Sequence, residues 1–121
     1  MGGVSDGDIL DPGVLAELRV YALPDAPDPA RDVTDVFLRV TPERLAHLQS
    51  AAAEGNTGEM RRIAHQLRGS CGAVGAIAMH RLASEIESAD SAAEAAPLVE
   101  RLYPLFERTR SLLESSASDT T

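Results

Sequence analysis

Thr57-Gly58-Glu59-Met60-Arg61-Arg62-Ile63-Ala64-His65-Gln66-Leu67-Arg68-Gly69-Ser70-Cys71-Gly72-Ala73-Val74 separates into two faces when wound as a helix. At about 100° per residue with His65 at zero, Met60, Ile63, Ala64, Leu67, Cys71 and Val74 fall between about 140° and 260°. Gly58, Arg61, Arg68, Gly69 and Gly72 fall within about 60° of the histidine. The apolar sector predicts a helix packed on one side, and the opposite sector points His65 at water. Asn56 with Glu59 three residues on reads as a loose capping box that starts the helix. Gly72 and Gly75 loosen the chain at its end.

The segments on either side follow the same pattern. Asp11-Pro12 and Asp28-Pro29 are start signals, with Asp as N-cap and Pro at the first helical position. Val14, Leu15 and Leu18 give the first start a short apolar stripe. The prolines between Leu23 and Pro29 make a loop. Val33, Val36, Phe37, Val40, Leu45, Leu48 and Ala52 form a long stripe that keeps phase across Pro42, which reads as a kink in one helix. A further helix is expected from about Ala76 to Ala89. Ser91-Ala92-Ala93-Glu94 is a capping box. The last helix carries Leu98, Leu102, Leu105, Leu112 and Leu113, bent at Pro104. With no strand-like alternation, the expected fold is all-α: an up-and-down bundle of four longer helices with a short extra helix at the N-terminus. Residues 1–8 are expected to be a flexible lead-in, 9–114 the bundle and 115–121 a disordered tail.

Composition narrows the function. A chain of 121 residues supports one core. With two Phe, two Tyr and no Trp, that core must be built from aliphatic side chains. A net charge of −8, spread along the chain, argues against nucleic acid or an anionic membrane as partner. The lone Cys71 cannot form an internal disulfide and points to a reducing compartment. With neither a membrane-length apolar run nor the pattern of a signal peptide, the chain reads as soluble and cytoplasmic. Its Ala-, Asp- and Arg-rich, lysine-free composition suggests a GC-rich bacterial genome.

The histidine face suits phosphoryl transfer. Gly69 and Gly72 each cost roughly 0.5–1 kcal/mol relative to Ala inside a helix. On a face that packs against nothing, that cost makes sense if another molecule must approach the backbone. Imidazole, whose ordinary pKa is near ~6.5, offers a neutral nucleophilic nitrogen at cytoplasmic pH. Arg68 would neutralise charge on phosphoryl oxygens with a matching fork. Such transfer depends chiefly on positioning and charge stabilisation, so a partner must bring the activated phosphoryl group and any metal. Neither a P-loop nor a Gly-rich strand-to-helix turn is present to bind nucleotide.

Ala64-His65-Gln66-Leu67-Arg68-Gly69-Ser70, continued by Gly75-Ala76 and by Leu82 through Ile86-Glu87, resembles the histidine-containing phosphotransfer (HPt) domain family, whose pattern is a helical AHxLKGS, then GA, then an apolar–apolar–acidic helix. The resemblance spans roughly residues 9–110 and is most specific from Ala64 to Glu87. It implies an antiparallel four-helix bundle. In it His65 takes phosphate from an aspartyl phosphate on a response-regulator receiver domain and passes it to another. His65 matches the phosphoacceptor and Gly69 the glycine that lets the receiver approach. Glu87 matches the residue that orients the imidazole. Arg68 stands where the family usually has Lys, keeping charge and changing geometry. The implied partners are receiver domains or a hybrid sensor histidine kinase. No cofactor is expected on this chain; Mg2+ is expected on the receiver. The chain is expected to be a monomeric phosphotransfer intermediate with no kinase activity of its own.

Gly58, Arg61, Arg62, Gly69 and Gly72 are the candidate partner-binding residues. Arg61, Arg62, Arg68 and Arg81 read either as a solvated face or as a cationic patch that steers acidic receivers. His47 and His80 read as surface or boundary residues, Cys71 as core and Asn56 as a cap. No metal site is expected, because His65 lacks His, Cys or carboxylate at helical offsets. A sensor-kinase dimerisation helix would carry an acidic residue after the histidine and a proline five on, where Gln66 and Ser70 stand. The alternative function is a helical adaptor that binds a receiver without phosphotransfer.

Overall fold

The computed structural model describes residues 5–118, with side chains to residue 115. Every regular element among them is helical: α1 (Asp6–Ile9), α2 (Pro12–Val20), α3 (Pro29–Ala53), α4 (Thr57–Val74), α5 (Ile77–Ser88) and α6 (Ala92–Ser118). The starts lie where the chain offers oxygen acceptors to orphan amides. Asp11 accepts from the Gly13 amide at 2.9 Å and Asp28 from Ala30 at 3.0 Å. Asn56 accepts from Glu59 at 3.1 Å and Ser91 Oγ from Glu94 at 3.2 Å.

Helices α3 to α6 form the antiparallel bundle, each packing against the next and α6 closing back on α3. Its core is aliphatic apart from Met60, Cys71, Met79 and the aromatic pair Phe37 and Phe106, whose rings meet at 6.0 Å and 56°. Met60, Ile63, Ala64, Leu67, Cys71 and Val74 are the buried residues of α4, as the wheel predicts. Burial pushes the Cys71 thiol up to about 12. Helix α3 runs through Pro42 unbroken, and α6 through Pro97 and Pro104. All three prolines are exposed, so the carbonyls that lose an amide partner lie on the wet side, where water can satisfy them.

The ends differ from expectation. Residues 6–8, placed in a flexible lead-in, begin α1, whose Ile9 is fully buried; residues 1–4 lie outside the described residues. The bundle thus carries two short N-terminal helices rather than one. A four-residue helix anchored by one apolar residue is too short to show a period. At the other end α6 continues to Ser118 past the expected boundary at 114, and residues 119–121 lie outside the description.

The four helices are unequal, with 25 residues in α3 and 27 in α6 against 18 in α4 and 12 in α5. The first half of α3 and the second half of α6 therefore overhang the α4–α5 turn. There α1 packs on α5 and α6, and α2 on α3 and α4. The turn is only Gly75 and Ala76. Gly75 takes φ +79°, its carbonyl accepts from the Asp11 amide at 2.8 Å, and an added Cβ would lie 2.5 Å from the Asp11 carbonyl oxygen.

Gly75→Ala is therefore expected to destabilise the fold by at least about 2 kcal/mol, from left-handed strain plus that clash. Gly55→Ala, at φ +72° with open space around it, should lose only about 1 kcal/mol. Denaturant midpoints at constant m-value check both. A disulfide reagent at mildly alkaline pH is expected to label Cys71 only through opening of the bundle, so that labelling speeds up in step with denaturant; rapid labelling of the native protein would contradict its burial.

Candidate functional site

His65 lies mid-way along the outer face of α4, its side chain 62% exposed. The short turn at Gly75 brings α5 back antiparallel, so Glu87, in the last turn of α5, comes beside it. Glu87 Oε2 lies 2.9 Å from His65 Nδ1. A carboxylate can only accept, so Nδ1 is the nitrogen that donates, and in the neutral ring that leaves the lone pair on Nε2. Nε2 has no hydrogen-bond partner among the described residues.

The second Glu87 oxygen, Oε1, is buried and faces Arg68 Nη1 at 3.1 Å, an ion pair without an aligned N–H···O bond. One carboxylate thus serves both candidate residues of α4. A glutamate in the last turn of a helix faces the negative end of the helix dipole, an arrangement that cations offset. Arg68 supplies one. Arg61 supplies another: its Nε and Nη2 donate to the Ala89 carbonyl at 3.3 and 2.6 Å, and Nη2 reaches Asp90 O at 3.4 Å. The guanidinium thereby caps the C-terminus of α5.

The remaining candidates fall as follows. Arg62 pairs with Glu59 one turn back, Nε to Oε2 at 3.0 Å, which holds the Glu59 carboxyl below its ordinary range. Gly58 is exposed in the first turn of α4, beside the capping Asn56. Gly69 is exposed, with nothing within 4 Å of an added Cβ; a Cβ on Gly72 would meet His80 Cδ2 at 3.8 Å. Thus His65, Arg68 and Glu87 are brought together beside the bare Gly69, whereas Arg61 and Arg62 are occupied locally. His47 is exposed and His80 half-buried. Among the described residues no three His, Cys, Asp or Glu side chains form a group able to hold a metal, and no helix is long and apolar enough to cross a membrane.

Reading helix faces does not find Arg44. It reaches from α3 to donate through Nη1 to Ser70 Oγ, 26 positions away. Ser70 belongs to the histidine motif, but nothing in the periodicity of either helix marks its partner.

The family model described as Hpt domain matches residues 32–117, leaving α1 and α2 outside the match. No curated protein matches the chain significantly. Among solved structures, the HPT domain of an Hpt sensor hybrid histidine kinase from Shewanella aligns at 23% identity and TM-score 0.65. That alignment covers 73% of this chain and 79% of the other. The likeness establishes a shared fold.

Gly69→Ala is expected to stabilise the protein by about 0.5–1 kcal/mol, since the new methyl meets open space and the helix gains propensity. Thermal unfolding checks this; a loss of stability would mean that the glycine serves the fold.

Proposed function

The chain belongs to the Hpt domain family, and from that premise we propose that it is a histidine phosphocarrier of a two-component phosphorelay. In this reading His65 accepts phosphate from an aspartyl phosphate on a receiver domain and returns it to another. The observation that carries the proposal is the 2.9 Å contact of Glu87 with Nδ1, which leaves Nε2 as the nucleophile on an open ring.

The chemistry balances on these residues. Nε2 attacks phosphorus in line with the leaving oxygen. The N–P bond forms as the P–O bond to the aspartyl group breaks, and the aspartate departs as its carboxylate. The ring keeps its Nδ1 proton and becomes cationic, and the Glu87 carboxylate stabilises that charge. No proton has to move. Arg68, one helical turn from His65 and held only by an ion pair, turns to the phosphoryl oxygens. Gly69 leaves space for the receiver surface to reach the ring. The reverse sequence delivers the phosphate. The receiver supplies Mg2+, and the kinase that charges the relay supplies the nucleotide chemistry. The setting we infer is the cytoplasm of a bacterium, with a monomeric carrier between receivers, one of them in a hybrid sensor kinase.

Incubation with receiver domains charged by acetyl phosphate is expected to place an acid-labile, base-stable label on the wild type and none on His65→Gln. Receiver binding that survives in both, without label, would favour the adaptor. Glu87→Ala should slow transfer by roughly tenfold to a hundredfold through lost ring orientation, with Glu87→Gln between it and wild type. Equal rates for all three would exclude the positioning role.

A further inference from the structure

We propose that Arg44 determines which receivers this carrier accepts, by pairing with a carboxylate on the docking surface of the receiver; the inference rests on the phosphocarrier reading. Arg44 stands at one end of an apolar groove between α3 and α4, lined by Val33, Val36 and Val40 from α3 and by Ala73 from α4. Val36 is 46% exposed there. The groove runs along the flank of the histidine face: Ala73, about 12 Å along the axis from His65, stands about 80° around the helix at the edge of that face, and Ser70, about 7.5 Å along, stands about 140° around, toward α3.

The cations around α4 differ in what holds them. Arg62 and Arg68 have carboxylate partners, Glu59 and Glu87. Arg61 is spent on the end of α5. Arg44 is fixed by a hydroxyl, so its charge is held in position without being cancelled, and no carboxylate pairs with it among the described residues. A partner seated on the valines would strip water from this guanidinium. A desolvated cation with only a neutral acceptor is costly, whereas one that meets a carboxylate is not. The occupant that fits is thus a receiver surface with an apolar stripe that ends in an Asp or Glu. One that presents Lys or Arg there is repelled. Asp32, at the far end of the groove and about 18 Å along α3, favours a basic residue at the other end of the stripe and so sets its direction.

The test is calorimetric binding of a panel of purified receiver domains to the wild-type protein, Arg44→Lys and Arg44→Glu. Unchanged circular dichroism and thermal unfolding show that the variants are folded. Arg44→Glu is expected to weaken binding of the cognate receivers at least about tenfold, less at high salt, and Arg44→Lys by no more than about threefold. Replacing the facing receiver carboxylate with Lys should restore binding to Arg44→Glu. Equal binding of the three proteins would overturn the proposal, as would a groove closed by a second copy of this chain, seen as a dimer by sedimentation. Phosphoramidate labelling of the wild type, which needs no docking, reports His65 chemistry separately. If that label and receiver-driven transfer are both absent while Arg44→Glu still weakens binding, the phosphocarrier reading fails, and Arg44 is left as a receiver-docking residue of an adaptor rather than of a carrier.

Discussion

The site depends on the turn between α4 and α5. Only two residues connect the helices, and Gly75 must take a left-handed backbone for the chain to reverse so tightly. A longer or looser turn would let α5 slide along α4. At this length the register places Glu87 beside His65 and His80 beside Gly72. Asp11 fixes the turn from outside through its amide and, by the closeness of its carbonyl oxygen, penalises any side chain at position 75. The segment before α2 thus supports the geometry of a site to which it contributes no residue.

Given that register, the site is largely a question of how a few charges are shared. An acidic protein carries a patch of arginines around its histidine, and each has a different anchor: main-chain carbonyls for Arg61, a neighbouring carboxylate for Arg62, the ring-orienting carboxylate for Arg68 and a hydroxyl for Arg44. Only the last two arrangements leave the cation something further to do. Arg68 holds its carboxylate by an ion pair without an aligned hydrogen bond, and Arg44 keeps its charge uncancelled by any carboxylate among the described residues; both proposed roles draw on that difference.

The division of α4 into a core sector and a histidine sector was legible in the sequence because it is a property of one helix and its period. So were the helix starts at Asp11, Asp28, Asn56 and Ser91, because a cap needs only local residues. The choice of one continuous α3 through Pro42 was legible from the phase of its apolar stripe. Glu87 was reached through the family pattern rather than from spacing, and its second contact, to Arg68, was not reached at all. The Arg61 cap on α5 and the Arg44–Ser70 pair were missed for the same reason. Each joins positions far apart in the chain, and no periodicity records which polar side chains meet across a helix interface. The short α1 escaped because one buried isoleucine, Ile9, holds it in place.

The unequal helix lengths have a consequence for motion. The overhanging end is built from two long helices and two short ones, α1 and α2, rather than from four long helices packed along their length. Local opening on the hydrogen-exchange timescale should start there, in the first half of α3 and the last turns of α6. His65 and Glu87 lie in the four-helix part, on the far side of the Gly75 turn from that end. The bundle can breathe at one end while the ring and its carboxylate stay in register, because the contact that joins them lies beyond the reach of that opening.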